Sequence, residues 1–83
     1  MHYVYILKSL KTRKRYIGYS SNLRERLMAH NLGKVKSTKA YKPWKVSFYE
    51  AFNNEEDARA EEKLLKTGQG RRILKSKLKH TDY

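Results

Sequence analysis

The chain has 83 residues, enough for one small domain with a modest hydrophobic core. Twenty lysine and arginine residues against eight acidic residues give a formal net charge of +12, and cysteine is absent. This composition excludes disulfide bonds, thiolate metal sites and thiol catalysis, and it favours a polyanionic partner. We expect one domain over residues 1–83, located in the cytoplasm with association with the nucleoid left open, because no segment resembles a membrane span or a signal peptide.

The first predicted element is a β-hairpin. Residues 3–7 (YVYIL) form a β-branched and aromatic run, and residues 16–19 resume it after a basic connection. The first run is apolar on both faces, which indicates a central strand rather than an edge strand. Tyr3 and Tyr5 share one face of that strand, because side chains alternate with period two.

A helix and a third strand are predicted next. Ser20, Ser21 and Asn22 are good N-cap residues, so the helix should run from about Leu23 to Asn31 and end at Gly33. Residues 32–43 have no clear period and are expected to form a basic surface loop, in which Lys34 to Lys42 should be mobile in the free protein. Residues 44–52 alternate well enough to form a strand.

Two further helices complete the predicted fold. Asn53 and Asn54 should cap a second helix that ends at Gly68, and Gly70 should open a short third helix. The apolar side of the third helix would consist of Ile73, Leu74 and Leu78. The order β-β-α-β-α-α predicts an α/β (α+β) fold with a small, three-stranded, mainly antiparallel sheet flanked by helices.

Both of the longer helices carry charged residues where apolar ones belong. In the first helix, Arg26 and His30 share an arc of ~100° with leucines. Either this face borders a polar cleft, or the helix is rotated enough to solvate both side chains. In the second helix, Glu61 and Glu62 share an arc with apolar residues, and helical geometry alone does not separate the two.

The hairpin and the first helix together resemble the signature of the GIY-YIG nucleases. The segments that carry the resemblance are Tyr3-Val4-Tyr5, then Tyr16-Ile17-Gly18 after ten intervening residues, then Asn22 to Arg26, and His30. Further along, Glu62 to Lys66 followed by Gly68, Gly70 and Arg71 is similar to the short, single-domain bacterial members. The leading glycine of the signature is Tyr3 in this chain.

The resemblance implies an endonuclease that hydrolyses phosphodiester bonds with one Mg²⁺ (or Mn²⁺) ion. By similarity, Glu62 would hold the ion, and Arg26 would clamp the phosphate with its planar set of donors. Tyr5 would activate the attacking water or accept its proton, which requires nearby cations to lower its pKa. Tyr16 would position water and phosphate, and His30 would relay a proton or contact the phosphate.

The partner is expected to be nucleic acid, with DNA, including branched or damaged DNA, ahead of RNA. Specificity for sequence should be low, because no recognition domain is added, and Gly18 is expected to let the chain turn tightly beside the substrate. Larger members carry an asparagine after the metal-binding glutamate, and this chain has none beyond Asn54. A non-catalytic nucleic-acid-binding module that keeps the fold therefore remains the alternative. In both cases, phosphate contacts are predicted for Lys8, Lys11, Arg13, Lys14, Arg15, Lys34, Lys36, Lys39, Lys42, Arg71 and Arg72.

Overall fold

The structure, a computed structural model, describes residues 1–83 and contains one antiparallel sheet and three helices. The elements are β1 (His2–Ser9), β2 (Arg15–Ser20), α1 (Leu23–Asn31), β3 (Trp44–Phe52), α2 (Glu55–Leu65) and α3 (Gly68–Lys77). The strand order β2-β1-β3 places β1 in the centre, so the predicted fold class and element order are confirmed. The longest helix has 11 residues, and no helix is long and apolar enough to cross a membrane.

Strand β1 supplies side chains to apolar clusters on both faces of the sheet. Val4 and Ile6 face α2 and α3, whereas Tyr5 and Leu7 face α1. All four side chains are at most 1% exposed, as the continuous apolar run predicted. Burial of an apolar side chain of this size contributes about 2 kcal/mol to the stability of the fold. Strand β1 therefore joins the α1 side of the sheet to the side that carries α2 and α3.

Side-chain caps set the start of each helix. Asn22, Asn54 and Thr67 each accept a hydrogen bond from a backbone amide in the first turn of α1, α2 and α3, at 3.1, 2.7 and 3.1 Å respectively. These amides have no partner within the helix, so each cap stabilises its helix by about 1 kcal/mol. Gly33, with φ of +77°, follows the end of α1, and the predicted bounds of α1 and β3 agree with the structure.

The boundary between α2 and α3 differs from the prediction. Helix α2 ends at Leu65 and α3 begins at Gly68, two residues before the predicted start at Gly70. Gly70 is buried where the two helices meet, and a Cβ atom there would overlap the carbonyl oxygen of Leu64. The glycine therefore permits close packing of the helices rather than opening a new one.

One expectation about the apolar side of α3 is also wrong. Ile73 is 37% exposed, whereas Leu74 and Leu78 are buried, so only the latter two form the apolar side of α3. The segment after α1 contains a 3₁₀ turn (Lys39–Tyr41) and buries Thr38, which is 1% exposed. This segment is therefore anchored in the interior, and we call residues 34–42 the basic loop.

Candidate active site

Four of the predicted site residues meet on the α1 side of the sheet. Tyr5 comes from β1, Tyr16 from β2, and Arg26 and His30 from α1. The ring centroids of Tyr16 and His30 are 5.0 Å apart, and those of Tyr5 and His30 are 6.0 Å apart. The face of α1 that carries the two charged residues thus borders a cluster of polar groups, which decides between the two interpretations of that face.

Gly18 makes room for the phenol of Tyr5. The two residues are direct partners in the β1–β2 register. A Cβ atom on Gly18 would lie 2.5 Å from the phenolic oxygen of Tyr5 and 2.8 Å from the ring of Tyr16. Because Gly18 lies within β2, its expected role in a tight turn is wrong, and what matters is the missing side chain.

A chain of hydrogen bonds runs from Tyr5 through His30 into the basic loop. Nε2 of His30 lies 3.0 Å from the hydroxyl of Tyr5, and Nδ1 lies 2.8 Å from the hydroxyl of Thr38. The Thr38 hydroxyl donates to the carbonyl of Val35 at 3.3 Å, so it accepts from Nδ1–H of His30. This arrangement leaves Nε2 as an acceptor, and the Tyr5 hydroxyl donates to it.

Burial keeps both members of the Tyr5–His30 pair neutral. His30 is 0% exposed, and its burial together with the charge of Arg26 lowers its pKa to about 4. Burial also raises the pKa of Tyr5 to about 12, against the opposing effect of the Arg26 guanidinium. In the free protein the pKa of Tyr5 is therefore raised, whereas the proposed chemistry requires it to be lowered.

Arg26 brings a fixed positive charge to this pair. Its guanidinium interacts with the hydroxyl of Tyr5 and, more weakly, with that of Tyr16, and these interactions raise the pKa of Arg26. The oxygen of Tyr5 can therefore accept from Arg26 while its proton points to His30. A phosphate oxygen placed here would meet the planar set of donors of the guanidinium.

The structure separates Glu62 from Glu61. Glu62 lies close enough to Tyr5 for its charge to contribute to the raised pKa of that tyrosine. Glu61 instead lies against Glu50 of β3, and the hydrogen bond between the two carboxyl groups raises the pKa of Glu61. Of the two acids left open by helical geometry, Glu62 is the one whose charge acts on Tyr5.

The carboxylate of Glu62 fits a hard cation such as Mg²⁺. Its Oε2 atom pairs with Lys66 at 3.1 Å, its Oε1 atom accepts no hydrogen bond from the protein, and its side chain is 18% exposed. Mg²⁺ is commonly held by one or two carboxylates, water and substrate phosphates, so a lone accessible carboxylate oxygen is a suitable ligand. No group of three or more metal-binding side chains occurs in the structure.

Most of the predicted phosphate-binding residues lie on two neighbouring segments, the hairpin connection and the basic loop. The hydroxyl of Ser9 donates to the carbonyl of Tyr41 at 2.6 Å, and Lys14 lies 5.5 Å above the Tyr41 ring, so the hairpin connection and the basic loop are neighbours. Lys8 is half-buried and pairs with Asp82 at 2.6 Å, which makes it the least accessible of the set. The other predicted residues are exposed: Lys11, Arg13, Lys14, Arg15, Lys34, Lys36, Lys39, Lys42, Arg71 and Arg72.

Comparison with known proteins identifies the family of the chain. The sequence model of the GIY-YIG catalytic domain matches residues 1–74. The chain belongs to the GIY-YIG family. This family is one of endonucleases, which are generally metal-dependent hydrolases, and their substrates are nucleic acids.

The relatives of this GIY-YIG chain are UPF0213 proteins. It is 37% identical over 75 residues to one from Staphylococcus haemolyticus, covering 89% of this chain and 90% of the relative. It is 40% identical over 67 residues to one from Clostridium perfringens, covering 80% and 71%. The solution structure of a UPF0213 protein from Bacillus halodurans is similar with a TM-score of 0.56 and 30% identity, over 93% of this chain and 84% of that one.

Thr38 is the site residue that the sequence did not reveal. It lies in a Lys/Ser/Thr-rich segment that is typical of a solvated loop, and nothing in the local pattern predicts its burial. The one signal in the sequence was the position of His30 at the end of a helix face that points inward. A buried imidazole needs partners for both nitrogens, and Tyr5 supplies only one.

Proposed function

We propose that this protein is a Mg²⁺-dependent endonuclease that hydrolyses phosphodiester bonds in DNA, including branched or damaged DNA, with low sequence specificity. Residues 1–83 would act as one domain. The observation that supports this proposal best is the juxtaposition of a neutral, hydrogen-bonded Tyr5–His30 pair with the cation of Arg26 and the carboxylate of Glu62. A module that only bound nucleic acid would gain nothing from a carboxylate that repels the phosphates.

The Tyr5–His30 pair would move the proton of the attacking water. As the oxygen of water forms its bond to phosphorus, Tyr5 takes the proton from the water and passes its own to Nε2 of His30. The phosphate brings negative charge close to His30, which raises the pKa of the imidazole and makes it a better acceptor. Tyr16 would hold the water and a phosphate oxygen in position.

Arg26 would stabilise the charge that builds on the phosphate oxygens while the bond to the leaving oxygen breaks. Its guanidinium already lies beside the hydroxyl of Tyr5 in the free protein. Glu62 would hold the metal ion through its free oxygen. When bound, Mg²⁺ supplies positive charge that polarises the phosphoryl group and stabilises the leaving oxygen. The leaving oxygen then takes a proton from solvent.

The deciding experiment is the substitution Glu62→Gln, with Glu61→Gln as the matched control. Single-stranded, duplex and branched DNA and RNA are incubated with each protein and Mg²⁺, Mn²⁺ or EDTA. Glu62→Gln should reduce cleavage by at least about a thousandfold, because it removes the carboxylate for the metal, whereas Glu61→Gln should remain active. Glu62→Gln should bind nucleic acid as well as the wild type or better, since a negative charge near the phosphate is removed.

Two outcomes would contradict the proposal. The first is a wild-type protein that cuts none of these substrates, and the second is a Glu62→Gln variant that cuts as fast as the wild type. In either case, salt-sensitive binding that persists would favour a non-catalytic nucleic-acid-binding module. Faster cleavage of RNA than of DNA would reassign the substrate while keeping the site.

A further inference from the structure

A cleft of about 470 Å³ lies between the β1–β2 hairpin and helices α2 and α3, next to the candidate active site. Its apolar lining consists of the half-buried Ile17, Tyr16 and Tyr83, and Ile6, Leu65 and Leu74, which are almost completely buried, complete the floor. Clefts of this size and apolar character typically hold a small molecule or a single group of a larger ligand. None of the residues assigned above to the proposed reaction, apart from Tyr16, lines this cleft.

The rim of the cleft is strongly basic. Five cations line it, with no carboxylate among the lining residues: Arg13, Lys14, Arg15, Lys66 and Arg71. Lys66 already pairs with Glu62. An uncharged apolar ligand would leave the other four cations without an anionic partner, and a bare phosphate would leave the apolar floor uncovered. A ligand that combines a flat apolar group with a phosphate satisfies both parts of the surface, and a nucleotide is such a ligand.

An aromatic side chain from the tail closes one end of the cleft. The guanidinium of Arg15 lies 5.0 Å from the centre of the Tyr83 ring, and Tyr83 packs against the apolar cluster under the sheet. Asp82, next to Tyr83 in the tail, pairs with Lys8 at 2.6 Å. An arginine over a tyrosine ring offers a platform of the kind on which unpaired bases stack. Tyr83 lies beyond the matched domain, which ends at residue 74.

The cleft and the candidate active site share a wall. Tyr16 belongs to both, and Lys66 on the rim of the cleft pairs with Glu62 at 3.1 Å. A nucleic-acid strand with its scissile phosphate between Arg26 and Glu62 would therefore place a neighbouring nucleotide at the cleft. A base within a duplex exposes only its edges, so its face reaches an apolar floor only when the base is unpaired.

We propose that this cleft binds one unpaired nucleotide adjacent to the scissile phosphate. The base lies on the apolar floor beside Tyr83, and the phosphate contacts the cations of the rim, Arg71 foremost. The position of this nucleotide relative to the cut rests on the proposed function, but its binding requires no cleavage. The substrate class that follows is a strand with an unpaired segment rather than an uninterrupted duplex.

The test measures binding in EDTA, so that no strand is cut. Fluorescence anisotropy gives the affinity of the full chain for a single-stranded oligonucleotide, for the same strand with abasic residues in its centre, and for the complementary duplex. We expect the intact single strand to bind about tenfold more tightly than the abasic strand. Tyr83→Ala should remove this preference, and Tyr83→Phe, which keeps the ring, should retain it.

Substitution of one cation inside the cleft and one outside it distinguishes binding at this subsite from general attraction to phosphate. Arg71→Ala should weaken binding of the intact single strand about tenfold, whereas Lys63→Ala, which removes an exposed cation of α2 outside the cleft, should weaken all three ligands slightly and equally. Circular dichroism establishes that each variant is folded. If Tyr83→Ala fails to fold, the comparison of Arg71→Ala with Lys63→Ala tests the subsite.

Equal affinity for intact and abasic strands, or equal effects of Arg71→Ala and Lys63→Ala, would overturn the subsite. The nuclease proposal has a separate readout. Binding as described without any cleavage would support the subsite and contradict the nuclease activity. Cleavage without any preference for unpaired bases would support the nuclease activity and contradict the subsite.

Discussion

The hydroxyl of Thr38 lies 2.8 Å from Nδ1 of His30, and this hydrogen bond joins the basic loop to the candidate active site. It fixes the imidazole with its proton on Nδ1, so that Nε2 faces Tyr5 as an acceptor. A loop that carries four of the predicted phosphate-binding residues therefore also sets the tautomer of the proposed proton acceptor.

Thr38→Val should impair both stability and activity. Valine keeps the branched shape but leaves Nδ1–H of His30 buried without a partner, which costs about 1–3 kcal/mol in the free energy of unfolding. The rate of cleavage should fall about tenfold or more, since the tautomer that accepts from Tyr5 is no longer fixed. Urea denaturation, cleavage rates and the ¹⁵N shifts of the His30 ring measure these effects. Thr38→Ser keeps the hydroxyl and should behave like the wild type; a fully active and stable Thr38→Val would refute the role.

Acid should destabilise the protein through His30. Its pKa is about 4 in the folded chain, below the usual 6.5, so between these values the unfolded chain binds more protons and stability falls as pH falls. The loss from pH 6.5 to pH 4 should be on the order of 2 kcal/mol. Urea titrations at a series of pH values measure it, and His30→Gln should show a shallower dependence. The raised pKa of Glu61 has the opposite effect, because its contribution to the stability of the protein is lost as pH rises. The Glu61→Gln variant removes this contribution, so that the effect of His30 can be measured alone.

Gly18→Ala should disturb the site while leaving the fold in place. The added Cβ atom would lie 2.5 Å from the hydroxyl of Tyr5, so the phenol must move away from His30 or β2 must shift. We expect a destabilisation of about 1–3 kcal/mol and a larger relative loss of activity than for a surface alanine. Thermal unfolding and cleavage rates are the measurements, with Ser21→Ala on the exposed β2–α1 connection as the control. A Gly18→Ala variant as stable and as active as the wild type would contradict the tight fit between Gly18 and the Tyr5 hydroxyl.

Binding of duplex DNA should depend steeply on salt. If about four to six phosphates lie against the basic surface, the logarithm of the binding constant should fall with the logarithm of salt concentration with a slope of roughly −4 to −5. Replacing Lys36 and Lys39 by glutamine should make the slope shallower by roughly 1 for each phosphate that the protein no longer neutralises. Affinities measured between low and moderate salt test this directly. Affinity that hardly changes over that range would refute a polyanionic partner.

Local signals in the sequence predicted most of the fold. The capping residues Asn22 and Asn54 marked the starts of α1 and α2, and the apolar run of residues 3–7 identified the central strand. The prediction was wrong at residues 65–70, because Gly68 and Gly70 were interpreted through backbone flexibility alone. Their effect depends on how closely α3 approaches α2, which is a tertiary property.

The sequence allowed the residues of the candidate site to be proposed, but not the pKa values that they have in the folded protein. The spacing on α1 placed Arg26 and His30 on the inward face, and the family resemblance selected Tyr5 and Glu62. The pKa of Tyr5 was expected to be lowered by cations, yet burial outweighs the effect of Arg26 and raises it. The balance between desolvation and a neighbouring charge depends on depth and distance, and a linear pattern of residues contains neither.

The single tryptophan of the chain gives this site an optical reporter. Trp44 is 4% exposed, and its indole N–H donates to the carbonyl of Thr38 at 3.0 Å. Indole emission responds to the polarity and hydrogen bonding around the ring, so any movement of the basic loop away from His30 changes the fluorescence of the unlabelled protein. Stopped-flow mixing with an oligonucleotide can thus follow the loop in real time, with no dye on either molecule.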